Sequence, residues 1–110
     1  LFVHAGFTAI KGVTEEPFTF HFNNDRTLLE TALAMDQKMD TESLFFPKRL
    51  KLYKEIYIGH TPTTKYAITV PINALNLWNM DTGASQGARI SIMDVNTKEF
   101  WQSDNVEDLY

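Results

Sequence analysis

Apolar positions recur along the chain in three rhythms, and each predicts a different element. Leu1–Val3 is a short apolar run that stops at His4-Ala5-Gly6, the pattern of a buried strand meeting a turn. Residues 8–17 show no period and carry Gly12 and Pro17, which predicts a loop. Phe18, Phe20 and Phe22 alternate with Thr19 and His21, the period of a half-buried strand or extended edge segment. Asn23-Asn24-Asp25 then offers turn and N-cap chemistry. Behind it Leu28, Leu29, Ala32, Leu33, Met35 and Met39 recur at spacings of three and four, with no Gly or Pro until Pro47, so a helix is predicted. A second short helix is predicted from Pro47 to Tyr53, since proline suits a first helical position.

The remainder reads as β-rich. Glu55–Ile58 is a strand stopped at once by Gly59-His60-Thr61-Pro62, and residues 61–73, with Pro62 and Pro71, read as a long surface loop. Leu75–Met80, Arg89–Val95 and Lys98–Gln102 are predicted strands, joined by residues 81–87 and by a tight turn at Asn96-Thr97. That spacing predicts an antiparallel meander, with Trp78, Phe100 and Trp101 as its core and cross-strand pairs. The acidic tail Asp104–Tyr110 is expected to fray. The fold class is therefore α/β, of the α+β kind: a strand, helices, a second strand, a loop and a C-terminal meander. Two isolated strands flank the helices, and each ends in a motif containing histidine. A strand that stops there delivers a side chain to the rim of a sheet, where α/β sites form.

Composition narrows what such a rim can do. The chain has 110 residues, which predicts one domain with a core of its own. It has no cysteine, which excludes disulfides, Cys-ligated zinc, iron–sulfur clusters and thiol nucleophiles. A reducing, cytoplasmic location is the expectation. The net charge of −4, without a run of Lys or Arg, argues against a nucleic-acid partner. No apolar stretch approaches membrane-spanning length, so no membrane partner is expected either.

Few residues stand out as chemical candidates. His4 and His60 share one context: an apolar run of β character, the histidine, then small or turn-forming residues. An imidazole held at a strand end by rigid backbone suits a metal ion, whose ligands must point at a fixed place. The same context also suits two structural histidines hydrogen-bonded at strand ends, and spacing alone favours that plainer reading. His21, inside the aromatic alternation, reads as structural or solvent-facing. Arg26 follows Asn23-Asn24-Asp25 at a helix start, where its planar fork suits a phosphoryl group, although a solvated arginine in a first turn is the commoner outcome. No Ser/His/Asp set and no G-x-S-x-G elbow occur, Gly83 and Gly87 make no phosphate loop, and Glu55, Asp81, Asp94 and Glu99 are scattered carboxylates.

Four short motifs in order carry a resemblance: Phe2-Val3-His4-Ala5-Gly6, Asp25-Arg26, Ile58-Gly59-His60-Thr61-Pro62 and Asn79-Met80-Asp81-Thr82-Gly83-Ala84. Together they resemble the C-terminal half of a calcineurin-like metallophosphoesterase, in the branch of the bacterial and phage serine/threonine phosphoprotein phosphatases. The resemblance spans residues 1 to about 103. It implies the C-terminal half of a two-sheet α/β sandwich, with 1–110 a partial domain whose upstream half precedes Leu1. It implies His4 and His60 as ligands of one metal ion and Arg26 as a grip on substrate phosphate. It gives Asp81-Thr82-Gly83-Ala84 an architectural role.

The implied cofactors are divalent transition metals (Mn, Fe or Zn), two per complete site. The implied substrate is a phosphorylated protein or small phosphoester, hydrolysed by metal-activated water. The family's Gly-Asp-x-His, Gly-Asp-x-x-Asp-Arg-Gly and Gly-Asn-His-Glu motifs are absent here, and Pro62 stands where many superfamily members place a further histidine. The isolated chain is therefore expected to be inactive, to bind at most one ion weakly, and to form a homodimer or strand-swapped form through uncovered sheet edges. Two other readings stand beside this one: a non-catalytic β-rich interaction module, and a dinucleoside polyphosphate hydrolase of the same superfamily.

Overall fold

Leu1–Val3 and the strand ahead of Gly59 become neighbours, and much of the architecture follows from that pairing. The computed structural model describes residues 1–109. Phe2 bridges Tyr57 in parallel. Val3 N–H donates to Tyr57 O at 3.0 Å, and Tyr57 N–H donates to Leu1 O at 2.9 Å. Parallel neighbours need a long crossover. The intervening chain supplies it as three short helices: α1 (Phe20–Asn24), α2 (Thr27–Ala34) and α3 (Lys48–Lys51).

The strands are β1 (Ile56–Ile58), β2 (Ile72–Ala74), β3 (Leu77–Asn79), β4 (Ser91–Met93) and β5 (Phe100–Gln102). They make two small sheets, one ordered β1-β3-β2 and the other a β4–β5 hairpin. β3 runs parallel to β1 and antiparallel to β2. The fold is a mixed α+β one.

Alternation decides which face of the larger sheet is covered. Ile56, Ile58, Ala74 and Leu77 lie on the helix side and join Phe7, Leu28, Leu29, Ala32, Phe46 and Leu50 in one core. Burying a side chain of that size contributes about 1.5–3 kcal/mol. The intervening residues face the other way. Phe2 stacks on Tyr57 at 5.1 Å there, yet stays 72% exposed. Lys98, from the β4–β5 connection, pairs with Glu55 at 2.6 Å and tethers the hairpin to the start of β1.

Several expectations fail, each for a local reason. The first segment is an edge with Phe2 exposed, not a buried strand. Phe18, Phe20 and Phe22 are not a strand: residues 20–24 coil into α1, and only Phe22 packs on the core. Asn24 Nδ2 closes that turn onto Phe20 O at 2.9 Å.

α2 ends at Ala34, short of Met39. Asp36 Oδ1 accepts the Lys38 N–H, and Gln37 Nε2 donates to the Ala32 and Met35 carbonyls that a longer helix would have used. The helix after Pro47 likewise stops at Lys51, where the Asn76 amide takes the Leu50 and Tyr53 carbonyls.

The meander does not form. Residues 75 and 76 are the turn of the β2–β3 hairpin, so β3 joins β1 and β2, while β4 and β5 pair only with each other. Ile92 and Trp101, a cross-strand pair, remain exposed and outside the core. The described part of the tail is hydrogen-bonded to the turn before β4: Val106 N–H donates to Ala88 O at 2.8 Å and Glu107 N–H to Gly87 O at 3.1 Å. Tyr110 lies outside the described residues. No helix among the described residues is long and apolar enough to cross a membrane.

One buried polar knot closes the loop that was expected over residues 8–17. The Glu16 carboxylate accepts the Thr8 N–H at 2.6 Å and the Thr8 hydroxyl at 2.9 Å, and it faces His21 Nδ1 at 3.2 Å. Burial pushes this carboxyl up, but the Thr8 bonds and then the His21 imidazole outweigh it, so its pKa lies below the ordinary 4.5. Its stabilising effect is complete above pH 4.5, the unfolded value, and is lost as pH falls through the lower folded value. Urea unfolding between about pH 3 and 6 should show stability falling on the acid side. Glu16→Gln should flatten that fall and cost about 1–3 kcal/mol at neutral pH.

Candidate functional site

Two parallel neighbours end on the same edge of a sheet, which is how residues 56 apart in sequence come together. The Phe2–Tyr57 register carries the chain past the sheet until Gly59 N–H donates to His4 O at 2.7 Å. The His4 and His60 rings follow, centroids 5.2 Å apart and edge to face. His4 is exposed and His60 half-buried.

His60 is held in an uncommon backbone state. Its φ is 68°, and Thr61 N–H donates to Gly59 O at 2.8 Å. An i to i+2 bond around a positive-φ residue is the strained form of the γ-turn. Strain of this kind costs about 1–3 kcal/mol and persists only where its surroundings over-determine it. They do so here. Asn79, fully buried at the end of β3, donates from Nδ2 to Thr61 O at 2.7 Å and accepts the Asp81 N–H on Oδ1 at 3.2 Å. Thr63 N–H donates to Asp81 O at 2.8 Å, and Met80 N–H to Ile58 O at 2.8 Å. The turn is clamped from β1, from β3 and from the chain after it.

Arg26 is placed by its neighbour. Asp25 is buried and caps α2: Oδ1 accepts the Thr27 N–H and hydroxyl, and Oδ2 accepts the Leu28 N–H at 3.0 Å. Gly6 lets the first segment approach this carboxylate, because a Cβ there would overlap Asp25 Oδ2 and press on Leu28 Cβ. The His-Ala-Gly and Asp-Arg motifs therefore touch. Arg26 then opens onto a cleft of about 400 Å³ whose lining includes His60, Thr61, Thr64, Lys65 and Gln86.

The candidates thus fall into one neighbourhood: His4 beside His60, and Arg26 on the cleft that His60 lines. His21 stays apart, bonded to Glu16 and Thr8. Asp81 Oδ1 accepts the Gly83 N–H at 3.0 Å and shapes the following turn. Among the described residues, no three or more His, Asp or Glu side chains converge as a metal-holding group.

Two elements of the neighbourhood escaped the sequence reading. Lys65, Thr64 and Gln86 sit in aperiodic stretches that offered no signal. Asn79 did leave one: it follows Leu75 and Leu77 at spacing two, a polar residue on the apolar face of a strand. No family model matches the chain, and no curated protein or solved structure matches it.

Proposed function

We propose that this chain is the C-terminal portion of a metal-dependent phosphoesterase of the serine/threonine phosphoprotein phosphatase kind. In this reading His4 and His60 are two ligands of one Mn, Fe or Zn ion, and Arg26 orients the substrate phosphoryl group. The observation that carries it is the meeting of the two imidazoles at 5.2 Å, where the first segment and β1, its parallel neighbour, both end. Two imidazole nitrogens on one ion, each about 2.1 Å from it, put their ring centroids about 5 Å apart, and the two rings stand at 5.2 Å.

A bound divalent ion supplies Lewis acidity toward water and phosphoryl oxygens. The chain's own residues do the rest of what this portion contributes. His4 and His60 offer nitrogens from fixed backbone, and the strained turn at His60 fixes one of them in advance. Arg26, on the shared cleft, presents a planar set of donors that matches phosphoryl oxygens. Two imidazoles are an incomplete shell, so the expectation for the chain by itself is weak binding of one ion and no turnover.

Calorimetric titration with Mn²⁺ and with Zn²⁺ tests this. One ion is expected to bind, and His4→Ala or His60→Ala should each weaken it by at least about tenfold. Affinity unchanged in both variants overturns the ligand assignment. Two tightly bound ions with turnover of p-nitrophenyl phosphate would overturn the incompleteness of the site.

A further inference from the structure

We infer that Lys65 is a specificity-determining residue of this cleft, selecting phosphoesters that carry a second anionic group beside the phosphoryl that Arg26 takes. The inference rests on the phosphoesterase reading and names its substrate class. Its basis is an imbalance of charge. The chain is acidic overall, with net charge −4. Yet the cleft of about 400 Å³ is lined by two cations, Arg26 and Lys65, and by no carboxylate. Among the described residues neither cation lies within ion-pair distance of an acidic side chain.

The two cations come from separate elements, the N-terminus of α2 and the 3-10 turn at Thr63–Tyr66. That turn is firmly held. Thr63 is fully buried, its hydroxyl donates to Ile68 O at 2.8 Å, and its N–H donates to Asp81 O at 2.8 Å. Ala67, with φ 59°, closes the turn by donating to Thr64 O at 3.0 Å. The base of Lys65 is therefore fixed while its ammonium stays in solvent.

The chemistry of the two cations divides the work. The planar guanidinium of Arg26 suits the paired oxygens of one phosphoryl group. The Lys65 ammonium is a mobile point charge, suited to an anion whose shape varies. Thr64 and Gln86 add neutral donors to the same lining. A phosphoryl group held by the Arg26 fork leaves Lys65 free to take a neighbouring anion, and a substrate that carries one engages both cations. That neighbour has two chemical sources, a linked second phosphoryl group or an acidic residue beside a phosphoserine.

The test uses the whole chain in metal-free buffer with chelator at fixed ionic strength, followed by ¹H–¹⁵N NMR. The probes are inorganic phosphate, pyrophosphate, and phosphoserine peptides with Asp or Ala beside the phosphoserine. Pyrophosphate, the Asp peptide or both should bind about fivefold tighter than the matching probe that has one anionic group, the size an exposed charge pair supplies. Lys65→Met should erase that preference. Arg26→Met should weaken every probe.

Whichever probe carries the preference names the source of the second anion. No preference for either probe, or a preference that survives Lys65→Met, overturns the assignment. Because no metal is present, this result stands or falls separately from the titrations of His4 and His60.

Discussion

Gly6→Ala is expected to destabilise the protein by about 2–4 kcal/mol, out of proportion to one added methyl group. At about 4–8 °C per kcal/mol for a domain near this size, the midpoint of thermal unfolding should fall by about 8–32 °C. The new Cβ would overlap Asp25 Oδ2 and come within 3.1 Å of Leu28 Cβ. Oδ2 is the end of a side chain and would normally yield. Here Asp25 is buried and accepts three hydrogen bonds from the first turn of α2, so moving it uncaps the helix that supplies Leu28, Leu29 and Ala32 to the core.

A double-mutant cycle isolates that coupling. Asp25→Ala alone should cost about 1 kcal/mol or more as a lost cap. In that background Gly6→Ala should cost at most about 1 kcal/mol, because the overlapping atom has gone. Urea unfolding of the four proteins decides the matter. Additive losses would show that the added methyl acts through Leu28 and not through the carboxylate.

The same contact shows why part of this molecule was legible beforehand. His4-Ala5-Gly6 and Gly59-His60-Thr61 stand out because strands must stop somewhere, and histidine beside glycine marks the stop. Once the crossover makes those strands parallel, the two stops share one edge. The pairing of β3 was not legible for an equally physical reason. The β2–β3 turn is built on Leu75 at φ 54° and on Asn76, with no glycine to announce it. Asn76 is held instead by the Leu50 and Tyr53 carbonyls, 26 and 23 residues away.

The phenylalanine alternation misled by the same logic. A period of two in a five-residue stretch fits a strand, but the outcome depended on whether anything lay across from Phe18 and Phe20. Among the described residues no strand does, and both stay exposed with the His21 ring beside them. Short three-residue strands leave too little pattern to overrule such distant partners. Lys65 was hidden for a related reason, since it joins Arg26 on one cleft through tertiary placement alone.

Asn79→Leu is expected to be among the most damaging substitutions that touch no ligand, because one side chain holds both the core and the turn that carries His60. The change is close to isosteric, so its cost is not a cavity. It leaves the Thr61 carbonyl and the Asp81 N–H without their partners at a buried position. Each orphaned group costs about 1–3 kcal/mol, for a total of about 2–6 kcal/mol. The loss should also release the strained geometry at His60, since Thr61 is the residue through which Asn79 holds the turn.

A purely structural role predicts lower stability with unchanged metal affinity at temperatures where the variant is folded. A positioning role predicts more: Zn²⁺ affinity in folded Asn79→Leu should fall by about tenfold or more, the range seen when groups supporting a ligand are removed. Asn79→Asp is a second test of the same contact. It keeps an acceptor for the Asp81 N–H but buries a carboxylate against the Thr61 carbonyl, so it should lose at least as much stability as the leucine variant and lose metal affinity with it. Calorimetric Zn²⁺ titration alongside urea unfolding reads both quantities, and an unchanged Zn²⁺ affinity in both folded variants would reduce Asn79 to a core hydrogen bond.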